Sequence, residues 1–157
     1  MVNEGAEEIT ILLSSPGGSL EDGVSLHTYL TALPVKLTMH AIGFVKSIAV
    51  PVFMAAPTRY ASDNARFLLH EYHWGISHPE QATQTELTER MLVLDNVVQW
   101  SKDIIKASTK FKDENFEAMH LFDRPRIFSP AECAEWGIVS AIRAPSMTKA
   151  LDPRVVV

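Results

Sequence analysis

The sequence predicts an α/β domain built on a largely parallel β-sheet. Residues 9–13 form a nearly continuous apolar run, which is typical of a strand buried on both faces of such a sheet. Strand and helix patterns then alternate along the chain, as expected for repeated strand–helix units. We therefore predict one domain over residues 1–144, followed by a C-terminal tail over 145–157 that has no periodicity.

Composition excludes several classes of protein. The chain has 157 residues and a formal net charge of −5, which argues against a nucleic-acid partner. Cys133 is the single cysteine, which suits a reduced, cytoplasmic setting. The most apolar stretch, at 48–56, is too short to span a bilayer, and the acidic N-terminus is unlike a signal peptide. We expect a soluble cytoplasmic domain with no membrane partner.

The first half of the chain has clear start and stop signals. Ser19 is a helix-capping residue, and the helix that follows it is expected to end before Pro34. Apolar residues alternate over 35–42, which predicts a strand that Gly43 breaks. The segment 47–56 is apolar all round, which predicts a short buried helix.

The second half is expected to contain strands and helices in about equal number. The predicted elements are short strands at 59–61 and 66–69, a long helix from about 79 to 107, a shorter helix at 113–120, a helix that begins after the Ser129 cap, and a last strand at 138–142.

Three features along this framework indicate hydrolytic chemistry. Gly17 and Gly18 follow the first strand and supply backbone N–H groups that an oxyanion can approach, because no Cβ stands in the way. Ser47 lies at the N-terminal end of the predicted buried helix and is a candidate nucleophile. His70 ends a strand and is a candidate general base for that serine.

The order of these motifs resembles the ClpP family of serine peptidases. The quoted residues are Ser-Pro-Gly-Gly at 15–18, Gly-x-x-x-Ser at 43–47, the strand that ends in His70, the long helix, and Arg-x-x-Ser-Pro-x-Glu at 126–132. The likeness covers roughly residues 9–142, as an N-terminally short and divergent member. It implies a ClpP/crotonase-like spiral of β-β-α units, a long protruding handle helix and a homo-oligomeric ring.

The resemblance also implies residue roles. Ser47 matches the nucleophile and His70 the general base of a serine-type endopeptidase. Gly18 and the backbone N–H of Ile48 match the oxyanion donors, and Gly17 belongs to the same substrate-binding turn. The expected chemistry is peptide hydrolysis through an acyl-enzyme intermediate.

The third member of the triad departs from the family pattern. The position of the family's aspartate aligns with Pro125, which cannot orient a histidine. Asp123 lies two residues earlier, on the same side of an extended segment, and is the natural substitute.

The resemblance implies no cofactor, and ATP would enter only through an AAA+ unfoldase partner. The chain begins just before the Gly-Gly turn, so the docking surface that N-terminal residues give such a partner is not expected here. No metal site is predicted, because the spacing of His70, His73 and His78 matches no common ligand pattern. The expected substrates are small peptides or unfolded protein.

Two other functions remain open at this point. A catalytically impaired ClpP-like scaffold or regulatory subunit would account for Pro125. A crotonase-like acyl-CoA enzyme would use the same paired backbone N–H groups, but the chain lacks that class's usual carboxylates and adenine-binding signals.

Overall fold

Alternating strands and helices make up the computed structural model, which describes residues 6–73 and 82–146. Six strands form one sheet: β1 (Glu8–Ser15), β2 (Lys36–Lys46), β3 (Thr58–Ala61), β4 (Arg66–Leu69), β5 (Arg126–Phe128) and β6 (Ala141–Ile142). Five helices accompany them: α1 (Leu20–Thr31), α2 (Ala49–Phe53), α3 (Gln84–Ser108), α4 (Asp113–Ala118) and α5 (Pro130–Glu135). The predicted tail beyond residue 146, and the predicted start of the long helix at 79, lie outside the described residues.

Strand β2 is the centre of the sheet. It pairs in parallel with β1, with β3 along 38–41 and with β4 along 44–46. β3 also pairs in parallel with β6, whereas β4 and β5 run antiparallel. The predicted α/β class with a largely parallel sheet is therefore confirmed. Because these pairings are parallel, the C-terminal ends of β1, β2 and β4 lie at the same edge of the sheet.

The predicted break at Gly43 is wrong, because β2 continues through it to Lys46. A Cβ at Gly43 would lie 2.6 Å from Ser14 Oγ, so the missing side chain lets β1 approach closely. The β1–β2 register shifts between Leu13 and Ser15, just beside this contact. Gly43 thus accommodates an irregularity of the sheet rather than ending the strand.

The capping signals are confirmed. Ser19 accepts a hydrogen bond from the Asp22 N–H at 3.3 Å and begins α1. Ser129 and Glu132 form a reciprocal capping box at the start of α5. Residues 126–128, for which the sequence pattern predicts no element, form the strand β5, which is antiparallel to β4. That pairing brings the segment containing Pro125 beside the end of β4.

A buried arginine holds the ends of several elements together. The Arg59 guanidinium donates hydrogen bonds to the carbonyl oxygens of Ala56, Ser108, Gly137 and Ile138 at 2.7–3.2 Å. Four carbonyl acceptors offset the cost of burying this cation. Within the described ranges, no helix is both long and apolar enough to cross a membrane.

Candidate functional site

A cavity of about 170 Å³ lies where three parallel strands end. Its walls follow directly after β1, β2 and β4, which is the edge where ligands bind in open α/β sheets. The lining residues are Pro16, Gly18, Leu20, Ser47, His70, Tyr72 and His73. The structure therefore brings the serine, the histidine and one of the paired glycines to one place.

Ser47 occupies a strained turn between β2 and α2. Its φ angle is +56°, in the left-handed region that non-glycine residues rarely adopt. Its N–H donates to the carbonyl of Leu68 at 2.9 Å, which ties the turn to β4. A sharp strand-to-helix turn of this kind exposes a side-chain oxygen at the edge of a sheet. The predicted helix at 47–56 is shorter than expected, since α2 begins only at Ala49.

Gly17 and Gly18 of the turn differ in what a side chain at each position would contact. Gly17 has a φ of +95°, and a Cβ there would lie 2.8 Å from the Cβ of Ser47. Gly18 lines the cavity, and a Cβ built on it would meet no atom within 4 Å. Gly17 therefore makes room for Ser47, whereas the space beside Gly18 is open to a ligand.

Ile48 packs into a gap left by a third glycine. The Ile48 side chain is only 3% exposed, and a Cβ on Gly23 of α1 would lie 2.2 Å from its Cγ1. A bulky residue directly after Ser47 is thus accommodated, because Gly23 leaves space for it. This contact fixes the backbone of Ile48 next to Ser47.

His70 lies at the rim of the cavity, directly after β4. Its ring centroid is 5.9 Å from that of His73, and no described residue hydrogen bonds to the His70 ring. In the antiparallel register Leu69 pairs with Arg126. Continued by one residue past the end of the two strands, this register would set Pro125 opposite His70. Cross-strand neighbours share a face of the sheet, so the extended register agrees with the match of the family's aspartate to Pro125.

Asp123 is found outside the cavity lining. Its side chain is 73% exposed, and its Oδ2 lies 3.9 Å from Nδ1 of His120. His120 and Phe122 have φ angles of +53° and +70°, so the turn that carries Asp123 is tightly wound. The structure thus places this carboxylate beside His120.

Tyr72 is the residue of the site that sequence reasoning missed. It is 4% exposed, and its hydroxyl lies 3.0 Å from the Ser101 Oγ on α3. Burial raises the pKa of Tyr72 well above its ordinary value, and the Ser101 hydrogen bond offsets only part of that rise. Its apolar ring within the His-Glu-Tyr-His run was the available signal, but only the fold shows that it faces the cavity.

The described part of the chain contains no group of three or more His, Cys, Asp or Glu side chains arranged to hold a metal ion. The Cys133 thiol lies in the core, where burial raises its pKa to about 12. A protonated, buried thiol is a poor nucleophile. Among the described residues, Ser47 is therefore the better-placed nucleophile.

Several known proteins are similar to this chain in fold and in sequence. The structure superimposes on a mutant ClpP1 from Listeria monocytogenes with a TM-score of 0.77 at 20% identity, covering 92% of this chain and 78% of the other. The proteolytic subunit 1 of an ATP-dependent Clp protease from Mycobacterium tuberculosis is 28% identical over 145 residues, covering 88% of this chain and 68% of the relative. Subunit 3 from Rhizobium johnstonii is 30% identical over 138 residues, with 87% and 68% covered.

Because these sequence relatives are proteolytic subunits of Clp proteases, the class is a serine peptidase of the Clp type. The Clp protease family model matches residues 2–146. The chain belongs to the Clp protease family. The predicted family and fold class are thereby confirmed.

Proposed function

We propose that this protein hydrolyses peptide bonds, with Ser47 as nucleophile and His70 as general base. The observation that carries the proposal is the shared cavity at the ends of β1, β2 and β4. Both side chains line it, together with Gly18, on a turn that exposes the Ser47 hydroxyl. Membership of the Clp protease family supports the same reaction.

The reaction follows from these groups in two halves. His70 accepts the Ser47 proton while Oγ attacks the peptide carbonyl, and the N–H groups of Gly18 and Ile48 stabilise the oxyanion. His70 then returns the proton to the leaving amine, which gives an acyl-enzyme. A water molecule, deprotonated by His70, attacks the ester, and Ser47 recovers its proton as the acid product leaves.

Asp123 stays the predicted orienting acid. For it to serve His70, its 73% exposed carboxylate would have to turn away from His120 and toward the cavity. The mechanism above requires only the Ser47–His70 pair and the two backbone donors.

A serine-directed fluorophosphonate probe tests the proposal. We expect the probe to label the wild-type protein, and the wild-type protein to cleave short fluorogenic peptides. In Ser47→Ala, the labelling and the rate of peptide cleavage should each fall by more than about 10³-fold. Ser140→Ala is the matched control, because Ser140 is exposed and lies outside the cavity lining. Equal labelling of wild type and Ser47→Ala would overturn the proposal.

We also propose a homo-oligomeric ring in the cytoplasm that acts on peptides or unfolded protein. The family supports this assembly, since the relatives named above are proteolytic subunits of ATP-dependent proteases. Coupling to an AAA+ unfoldase would supply unfolded substrates. The proposed chemistry needs no ATP of its own, because acyl transfer to Ser47 consumes none.

A second candidate is a catalytically impaired subunit that scaffolds or modulates such an assembly. The observation that favours it is Pro125, which directly precedes the Arg126 that pairs with Leu69, where the family pattern has an orienting acid. Absence of labelling in the wild-type assembly, with intact oligomers, would favour this candidate.

A further inference from the structure

We infer that Tyr72, through its hydrogen bond to Ser101 of α3, is a positioning residue that fixes His70 at the cavity. The inference rests on the proposed function, since it assigns His70 the role of base. It explains what fixes the position of His70 when no acidic side chain orients its ring.

The Tyr72–Ser101 contact is a closed polar pair inside the apolar core. Ser101 is 0% exposed and Tyr72 is 4% exposed, and their oxygens lie 3.0 Å apart. Two buried hydroxyls that bond to each other would each be unsatisfied if the other were removed. The pair therefore holds the chain after β4 at one point along α3.

His70 depends on the path of this segment. No described residue hydrogen bonds to its ring, and Pro125 offers no side-chain acceptor from the neighbouring strand. The ring is therefore oriented mainly by its backbone. Tyr72 is two residues along, a reach of about 7 Å, so an anchor at Tyr72 limits how far the His70 backbone can move.

Tyr72 also touches the turn that precedes β5. Its ring meets Phe122 edge to face, with centroids 5.2 Å apart. Phe122 is itself buried, at 4% exposure, and belongs to the tightly wound turn before Pro125. One side chain thus joins the cavity wall, the long helix and the segment opposite His70.

Two substitutions remove the hydrogen bond from opposite ends. Tyr72→Phe keeps the ring contact with Phe122, and Ser101→Ala keeps the helix. We expect each to lower kcat for a short peptide about tenfold with KM little changed, because a small misplacement of a catalytic group slows chemistry more than binding. The double variant should lose no more than either single one. Ser101→Thr keeps a hydroxyl and should recover most of the rate.

Ile105→Val is the control for a loss that is only structural. Ile105 lies one turn further along α3 and is 1% exposed, so the substitution loosens the same helix and lowers Tm while the hydroxyl pair of Tyr72 and Ser101 stays intact. We expect its kcat to remain within about twofold of wild type. An equal fall in kcat for Ile105→Val and Tyr72→Phe would overturn the inference, as would wild-type kcat in Tyr72→Phe.

Hydrogen exchange tests the inference without relying on activity. We expect amides of residues 70–73 to exchange several-fold faster in Tyr72→Phe and Ser101→Ala than in wild type or Ile105→Val. If the wild-type protein hydrolyses nothing, the proposed function fails, and this exchange pattern still decides whether the pair anchors His70. Unchanged exchange in both variants would contradict the anchoring.

Discussion

Gly17 and Gly18 are adjacent in the sequence, yet a side chain would have a different physical effect at each position. Gly17 combines a positive φ with a Cβ position 2.8 Å from the Ser47 side chain. Gly18 has free space on its Cβ side and faces the cavity. Methyl groups at the two positions should therefore have separable effects, one on the folded protein and one on its substrate.

We predict that Gly17→Ala destabilises the fold by about 1–3 kcal/mol, because it strains the backbone and crowds Ser47. Gly18→Ala should leave the unfolding free energy within about 0.5 kcal/mol of wild type. It should nevertheless lower kcat/KM at least about tenfold, since the methyl group stands where the substrate carbonyl approaches. Chemical denaturation and peptide hydrolysis measure the two effects. A destabilised Gly18→Ala protein would contradict this division.

Ile48 is a residue whose environment the sequence alone does not predict. In the sequence alone, a bulky side chain directly after Ser47 would be expected to crowd the start of the following helix. The fold resolves this, because Gly23 of α1 leaves the space that Ile48 fills. The two positions are 25 residues apart in the chain, and periodicity within either helix gives no sign that they meet.

At the scale of elements, local signals predicted most of the fold. Caps such as Ser19 and Ser129 depend on nearby residues and were correctly predicted. The apolar run at 9–13 correctly predicted a strand, but its predicted burial on both faces is wrong, because every residue of β1 is exposed or only partly buried. Gly43 and β5 were not, because both depend on a partner strand. A three-residue strand such as Arg126–Phe128 has too little periodicity to identify it without that partner.

The same limit applies to the site. Ser47, His70 and Gly18 line one cavity because each follows a strand of a parallel sheet and such strands end at one edge. Their catalytic roles stay a prediction. Asp123 lies in a turn rather than after a parallel strand. Its side-chain direction depends on the positive φ angles around it, which no sequence pattern indicated.

The β4–β5 pairing gives a test of what the missing acid costs. We predict that Pro125→Asp raises kcat at least about tenfold, because a carboxylate opposite His70 orients the ring and stabilises its protonated form. Pro125→Asn is the control, since it relieves the same proline without adding charge. Peptide hydrolysis at matched folded fractions measures the difference. Equal rates for the two variants would show that the carboxylate does not reach His70.

At the scale of the whole molecule, α3 presents apolar side chains that the described domain leaves uncovered. Leu87, Met91 and Leu92 are 41%, 65% and 58% exposed, whereas Val97 and Ile105 further along are buried. In the sequence, Leu87, Met91 and Ile105 recur at helical spacing, so periodicity alone does not separate the exposed positions from the buried one. The helix therefore packs at its C-terminal half and leaves apolar surface at its N-terminal half.

We predict that Met91→Lys shifts the proposed oligomer toward smaller species in native mass spectrometry at micromolar concentration. The reason is that burying an unpaired ammonium group in a subunit contact is costly. Gln99→Lys adds the same charge at an exposed polar position of α3 and should leave the assembly unchanged. A wild-type protein that is monomeric under these conditions would contradict the proposed ring.

The central position of β2 has a consequence for when activity appears during folding. Ser47 follows the strand on which β1, β3 and β4 all pair, and its own N–H is bonded to Leu68. The organised turn therefore arises only once three strands, drawn from residues 8–69 of the chain, have associated. On the proposed function, a newly made chain would therefore lack an organised nucleophile until these strands of the sheet have paired.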